Sequence, residues 1–258
     1  VTSAPGEVFT KHDPDAAPGF FAAEAAGLAW LAAAGPGAAA VVEVRAVTAD
    51  RLVLQRLHPI RMTRTAAREL GAALALTHAA GADAFGTPPP GRPPQGWIGR
   101  QPMSMVPTPT WGRFYAEQRV LPFARAAARR GTLRASGLRA VERVADRLVA
   151  GELDDGRPPA RLHGDLWSGN VVPTADGIVL IDPAAHGGHG LTDLAMLDLF
   201  GLPELAAVMD AYAAAADLDA GWRDLLPLHQ LHPLLVHAVS HGAGYGDEAE
   251  RAALRSVG

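Results

Sequence analysis

The chain predicts an α+β fold of two unequal lobes, a small antiparallel sheet followed by a larger, mostly helical body. Three observations carry this. Apart from one short hairpin, strand patterns are confined to residues 1–57; helical periodicity dominates from Thr63 onward; and a polar, glycine-containing loop at residues 161–193 interrupts the helices. The expected boundary lies between Leu57 and His58, giving a sheet lobe at 1–57 and a helical lobe at 58–258.

Composition sets the limits. With 258 residues, 48% hydrophobic and 19% charged, the chain can bury one large core or two lobes. A net charge of -4 with scattered arginines offers no basic stripe, so no nucleic-acid partner is expected. The absence of cysteine excludes disulfides, thiolate catalysis and thiolate metal sites, and the cytoplasm is the expected compartment. Residues 25–42 carry no charge but are mostly Ala and Gly and break at Gly35-Pro36-Gly37. They read as a helix, a turn and a strand start, so no membrane partner is expected. No secretory signal precedes them, and the opening Val1 suggests numbering that begins after a further segment.

In chain order, residues 7–11 alternate as a strand ending on Lys11, and residues 20–34 form a helix with Phe21, Leu28 and Leu31 on one face. Glu24 falls inside that apolar stripe. A carboxylate there needs a cation, and Lys11 is the candidate. Residues 41–47 and 51–57 read as two strands around Thr48-Ala49-Asp50. Because His58 precedes Pro59, a hinge is expected there, with backbone groups of Gln55 to Leu57 facing an adenine edge. A helix at 63–80 stops at Gly81, and His78 near its end reads as a packed or capping residue. Residues 81–112 are rich in Gly and Pro; Trp97 and Trp111 anchor them as an ordered lid or pocket wall. Helices follow at 113–130, 136–150, 192–200, 203–216 and 222–241. His229, His232, His237 and His241 lack the H-E-x-x-H context of a zinc site, and Pro233 is expected to disturb their helix.

The chemistry concentrates in R-L-H-G-D-L-W-S-G-N at 161–170 and the Ile181-Asp182-Pro183 that follows. Asp165 precedes Asn170 by five residues, and Asp182 follows Asn170 by twelve, across an expected hairpin with Asp176-Gly177 at its turn. Asn170 and Asp182 then flank one two-stranded element and can share magnesium, which takes few protein oxygens and keeps substrate phosphates. Asp165 can orient an acceptor hydroxyl. H-x-D-x-x-x-x-N with a later Asp is also the order of the protein-kinase catalytic loop, although Gly164 replaces the Arg of His-Arg-Asp and Asp182-Pro183-Ala184 replaces Asp-Phe-Gly. All basic residues but one are arginine; Lys11 is the sole lysine and Asn170 the sole asparagine. Both exceptions fall where a phosphoryl-transfer site needs them, since a compact ammonium suits a phosphate differently from a planar guanidinium.

With these residues in view, the chain resembles the fructosamine kinase (ketosamine-3-kinase) family, relatives of the aminoglycoside phosphotransferases. The matching motifs are His163-Gly-Asp-Leu-Trp-Ser-Gly-Asn170, Ile181-Asp-Pro-Ala184, Asp193-Leu-Ala-Met196 and Leu199-Phe-Gly201. Val8-Phe-Thr-Lys11, Glu24, Trp97-Ile-Gly99 and Trp111 with Phe114, Glu117 and Arg119 support them. The resemblance implies a protein-kinase-like fold, ATP and Mg2+ as cofactors, and phosphorylation of a sugar hydroxyl on a ketoamine such as a ribulosamine or fructosamine, hence deglycation. On that basis Asp165 is the base, Lys11 holds phosphates and Glu24 positions Lys11. Asn170 and Asp182 hold the metal, Gln55 and Leu57 meet the nucleotide, Trp167 and His189 face the acceptor, and His163 and Asp193 brace the loop. Two departures matter. Residues 1–6 do not supply the family's glycine-rich phosphate loop, so that loop lies upstream or nucleotide binding is impaired. Gly188-His189-Gly190-Leu191-Thr192 replaces the family's Gly-Asp-Arg-Glu. They motivate two alternatives: a kinase of the same fold acting on an aminoglycoside or amino-alcohol, and a catalytically silent nucleotide-binding scaffold.

Overall fold

A computed structural model describes residues 7–256; residues 1–6, on which the phosphate-loop expectation falls, lie outside the described residues. The chain opens with β1 (Val8–His12), α1 (Phe20–Ala32), β2 (Ala40–Val41), β3 (Val44–Val47) and β4 (Arg51–Gln55). β1, β4 and β3 form an antiparallel sheet in that order, with Lys11 opposite Leu52. α1 lies on the sheet because Phe21 and Leu28 share one face and meet Val42, Leu52 and Leu54.

The single strand expected at 41–47 is two. β2 leaves the small sheet and runs parallel to the later strand Gly177–Leu180, and the Val42 N–H continues that ladder by donating to Leu180 O at 3.0 Å. A bulge between Val44 and Ala46 then turns β3 onto β4. A run of β-branched residues satisfies either sheet, so its pattern alone does not select the partner.

The larger body begins with α2 (Arg64–Ala79), where Thr63 Oγ1 caps the first turn by accepting from Ala66 N at 3.2 Å. The Gly- and Pro-rich stretch is ordered around a hairpin, β5 (Gln95–Ile98) and β6 (Gln101–Ser104). α3 (Trp111–Phe114) passes through a π-helical turn at Tyr115–Val120 into α4 (Leu121–Arg129), followed by α5 (Ala135–Val149). Then come β7 (Ala160–Leu162), the hairpin β8 (Val171–Thr174) and β9 (Gly177–Leu180), and β10 (His186–Gly188), which pairs with β7. The chain continues through α6 (Leu191–Phe200), α7 (Leu205–Ala215), α8 (Leu226–His241) and α9 (Ala243–Ser256). One apolar core joins α3–α5 to α8 and α9, and a second joins α2 to α6, α7 and the β8–β9 hairpin. No described helix is long and apolar enough to cross a membrane.

Pro233 does not break α8, contrary to expectation. Proline lacks the N–H that would reach His229 O one turn earlier. Tyr115 Oη takes over this role, donating to His229 O at 2.8 Å while accepting from His232 N at 3.1 Å. The π-helical turn carries the buried tyrosine to that gap.

Candidate active site

The loop after β7 is held from behind by Asp193. Its carboxylate accepts from His163 N at 2.8 Å, Gly164 N at 2.9 Å and His78 Nε2 at 3.1 Å, while His78 Nδ1 accepts from the Tyr212 hydroxyl at 2.8 Å. Burial works against the charge on Asp193, but His78, His163 and the backbone N–H of Gly164 hold its carboxyl below the usual range. His163 is buried and held below the usual imidazole range, hence neutral. Nε2–H donates to Ile181 O at 2.9 Å and Nδ1 accepts from Asp165 N at 3.3 Å, so the tautomer follows from the partners. Gly164, with φ +81, passes so close to Ala184 O that a side chain would collide with it.

Asn170 closes the loop. Its Nδ2 donates to Asp165 O at 2.7 Å, which turns Oδ1 the other way, toward the metal-binding role a hard oxygen can serve. Asp182, just past β9, adopts a left-handed φ of 57, a conformation short polar residues tolerate better than others. Across from it, Lys11 Nζ donates to Asp182 Oδ1 at 2.6 Å and to Glu24 Oε1 at 2.7 Å. Burial opposes the ammonium, but the two carboxylates overcompensate and raise Lys11 above its ordinary value. Burial raises Glu24 despite that partner.

Two clefts meet at Lys11 and Asp182. One, an apolar slot of about 300 Å³, is lined by Phe9, Val42, Leu54, Leu57, Val172 and Ile181 and also includes Gln55. The other, of about 170 Å³, contains Asp165 together with Glu24, Phe20, Trp97, Met105 and Arg92. The Gln55 and Arg56 N–H groups already donate to Glu43 O at 2.9 Å and Glu7 O at 3.1 Å, so those donors are not free for a base as expected.

The sequence profile described as fructosamine kinase matches residues 1–256. The chain belongs to the fructosamine kinase family. A "Probable ketoamine kinase" from Thermus thermophilus is 32% identical over 241 residues, covering 93% of this chain and 84% of that protein. Another, from Synechocystis sp., is 35% identical over 208 residues, covering 78% of this chain and 65% of that protein. A third, from Enterococcus faecium, matches over only 34% of its own length. Alignments thus span from about a third to about two thirds of the latter two relatives. Among solved structures, a "putative fructosamine-3-kinase" from Thermobifida fusca superposes with a TM-score of 0.88 at 47% identity, covering 97% of this chain and 85% of that one. A choline/ethanolamine kinase family protein from Mesorhizobium loti, at 16% identity, TM-score 0.58 and coverage of 98% and 82%, shares the fold alone. The fold is therefore protein-kinase-like with two lobes.

Two residues that the sequence assigns to the acceptor, His189 and Trp167, line neither cleft. His189 is 2% exposed and packs, with its ring tilted, against Trp111 and His229. Its Nε2 donates to Asp155, whose carboxyl is lowered to about 2: burial opposes the shift, and the His189 bond drives it. The residue therefore faces the helical core, not the cleft. Trp167 is 44% exposed, packs over Gly169 and is not part of either cleft's lining. His229 and His232 are core residues, and among the described residues no group of three or more His, Cys, Asp or Glu could hold a metal ion. Sequence reading missed Phe20 and Arg92 as cleft residues and Tyr212 as the far end of the Asp193 brace. Only the proline run around Arg92 marked that position as special.

Proposed function

We propose that this chain is an ATP-dependent ketoamine kinase that phosphorylates a sugar hydroxyl of ribulosamine or fructosamine adducts, after which the phosphorylated adduct decomposes and the amine is released from glycation. The observation that carries the reading is the junction of the two clefts: Lys11, tied to Glu24 and Asp182, faces both, while Asp165 lines only one. Nucleotide and acceptor can then approach the same point from opposite sides. Residues 1–57 would form the nucleotide lobe and 58–258 the acceptor lobe, in a cytoplasmic enzyme.

In this reading Lys11 holds the phosphates and Glu24 keeps it in place. Asp165 orients the acceptor hydroxyl. As the acceptor oxygen bonds to the γ-phosphorus and the β–γ bridging bond breaks, the hydroxyl proton passes to an Asp165 oxygen and ADP leaves with the bond's electrons. Burial first, then the charges of Asp182 and Asp193, push the Asp165 carboxyl up to about 7, the range suited to a base working near neutrality. Asn170 Oδ1 and the Asp182 carboxylate would hold magnesium. Two protein oxygens fit an ion that retains waters and phosphates, and it would neutralise phosphate charge there. The burial of His189 removes the structural motive for an amino-alcohol or aminoglycoside acceptor, and the assembled Lys11, Asp165, Asn170 and Asp182 set argues against a silent scaffold.

The test is ADP release with Mg-ATP and a panel of ribulosamines, fructosamines, aminoglycosides and amino-alcohols. Ketoamines are the expected acceptors, and Asp165→Ala should lower turnover by at least ~10²-fold while retaining the Mg-ATP thermal shift. Near-normal turnover in that variant, or phosphorylation of the other acceptors alone, refutes the assignment.

A further inference from the structure

The acceptor cleft contains a cation that the phosphoryl-transfer roles leave unused. Arg92 lines the same cleft as Asp165, and its Nη2 donates to Gly19 O at 3.1 Å. Among the described residues it forms no ion pair with any carboxylate, and its buried Nε has no hydrogen-bond partner. The cleft's other cation, Lys11, is bonded to Glu24 and Asp182. A partly buried guanidinium beside unsatisfied hydrogen-bonding capacity carries a desolvation cost that a bound anion would offset.

The backbone presents this side chain in a fixed position. Arg92 sits between Pro88-Pro89-Pro90 and Pro93-Pro94, whose rings restrict φ. Its N–H closes a turn onto Pro89 O at 3.1 Å, and Met105 N anchors the far end to Pro94 O at 3.0 Å. The guanidinium also packs against Gly19, where φ is +85 and an added Cβ would lie 3.1 Å from Arg92 Nη2. Little ordering remains to oppose binding.

Resting on the ketoamine kinase reading, we infer that Arg92 selects acceptors that carry an oxyanion, seating that group on the proline-framed wall while the sugar hydroxyl meets Asp165. The carboxylates Glu24, Asp165 and Asp182 would repel an anion elsewhere in the cleft, so a guanidinium on the wall fixes which end of the acceptor points inward. The oxyanion can be the carboxylate of a ketoamine formed on a free amino acid, or a phosphate on the sugar itself. Both suit a planar fork of donors.

Three acceptors separate the sources: the ribulosamine of glycine, the neutral ribulosamine of glycinamide, and the 5-phosphate of that neutral compound. Each is assayed by steady-state kinetics with the wild type, Arg92→Gln and Arg92→Lys, after thermal unfolding shows that the variants fold. For the wild type, KM should be about 10- to 100-fold lower for at least one anionic acceptor than for the neutral one. Arg92→Gln should erase that difference by raising KM for the anionic acceptor alone, with kcat little changed, and Arg92→Lys should keep part of it. Preference for the glycine adduct identifies the carboxylate, and preference for the phosphate ester identifies phosphate. If the neutral acceptor is phosphorylated and the wild type shows no preference, or Arg92→Gln changes all three alike, the inference fails while the kinase reading stands. If no ketoamine is phosphorylated, both fall.

Discussion

At Asp165, one proton responds to burial, to Asp182 and to Asp193, and all three favour keeping it. The linkage has a definite sign. With the folded pKa raised to about 7 from 3.8, the folded state binds the extra proton between those values, so the stability cost is absent below pH 4 and grows until about pH 7. Asp165→Asn should therefore raise the melting temperature at pH 8 in nucleotide- and metal-free buffer, and the gain should shrink toward zero near pH 4. Equal gains at both pH values would contradict the burial account. Lys11 and Asn170 stand out in the sequence as the sole residues of their types, and Asp165 by its spacing from Asn170; the fold brings Lys11 to Asp182 and Asn170 to Asp165. Arg92 does not stand out, since one arginine in an arginine-rich chain looks like any other until its surroundings are seen. His189 was misassigned for the converse reason: its position beside the loop in sequence says nothing about the direction of its ring.

Among the elements, α8 shows how local pattern and tertiary contact divide the work. Helical periodicity located the segment, and Pro233 argued against continuity. The hydroxyl that compensates belongs to Tyr115, more than a hundred residues earlier, and no local signal could link the two. Tyr115→Phe leaves His229 O buried without its donor and should cost about 1–3 kcal/mol, measured by urea unfolding. A loss indistinguishable from zero would mean α8 tolerates its proline unaided. The helix start at Thr63 and the β8–β9 hairpin were readable because capping and turn chemistry are local. The β5–β6 hairpin was not, because Pro102 and Gly96 weaken its strand pattern and its pairing is made in the wall of the cleft.

Across the whole molecule, several polar contacts tie the small sheet and α1 to the helical body, among them Lys11 to Asp182, Arg92 to Gly19 and Arg100 to Asp13. Arg161 makes others. Its Nη1 donates to Trp30 O at 2.8 Å near the end of α1, its Nε to Gly81 O at 3.3 Å just past α2, and its guanidinium lies 4.8 Å from the Trp30 ring centroid. Both helices thus direct their negative ends at one cation. The overall two-lobe plan was visible in the distribution of strand and helix patterns, whereas these cross-links join segments whose proximity only the fold creates.

The backbone pairing of β2 alongside β9 has a mechanical consequence. Under the proposed function, this two-residue parallel pairing beside the cleft junction would act as a fulcrum, letting the sheet tilt over a nucleotide but not slide past it. Displacement should grow with lever arm, smallest at Val42 and larger toward the β1 edge. In hydrogen exchange, the Val42 amide should remain slow and unaltered by Mg-ATP while Arg56 slows on binding; nucleotide-dependent exchange at Val42 would mean the pivot itself opens. On the proposed reading, the depth of closure would then be set by the position of a single short strand, so that turnover would respond to changes at residues 40–42.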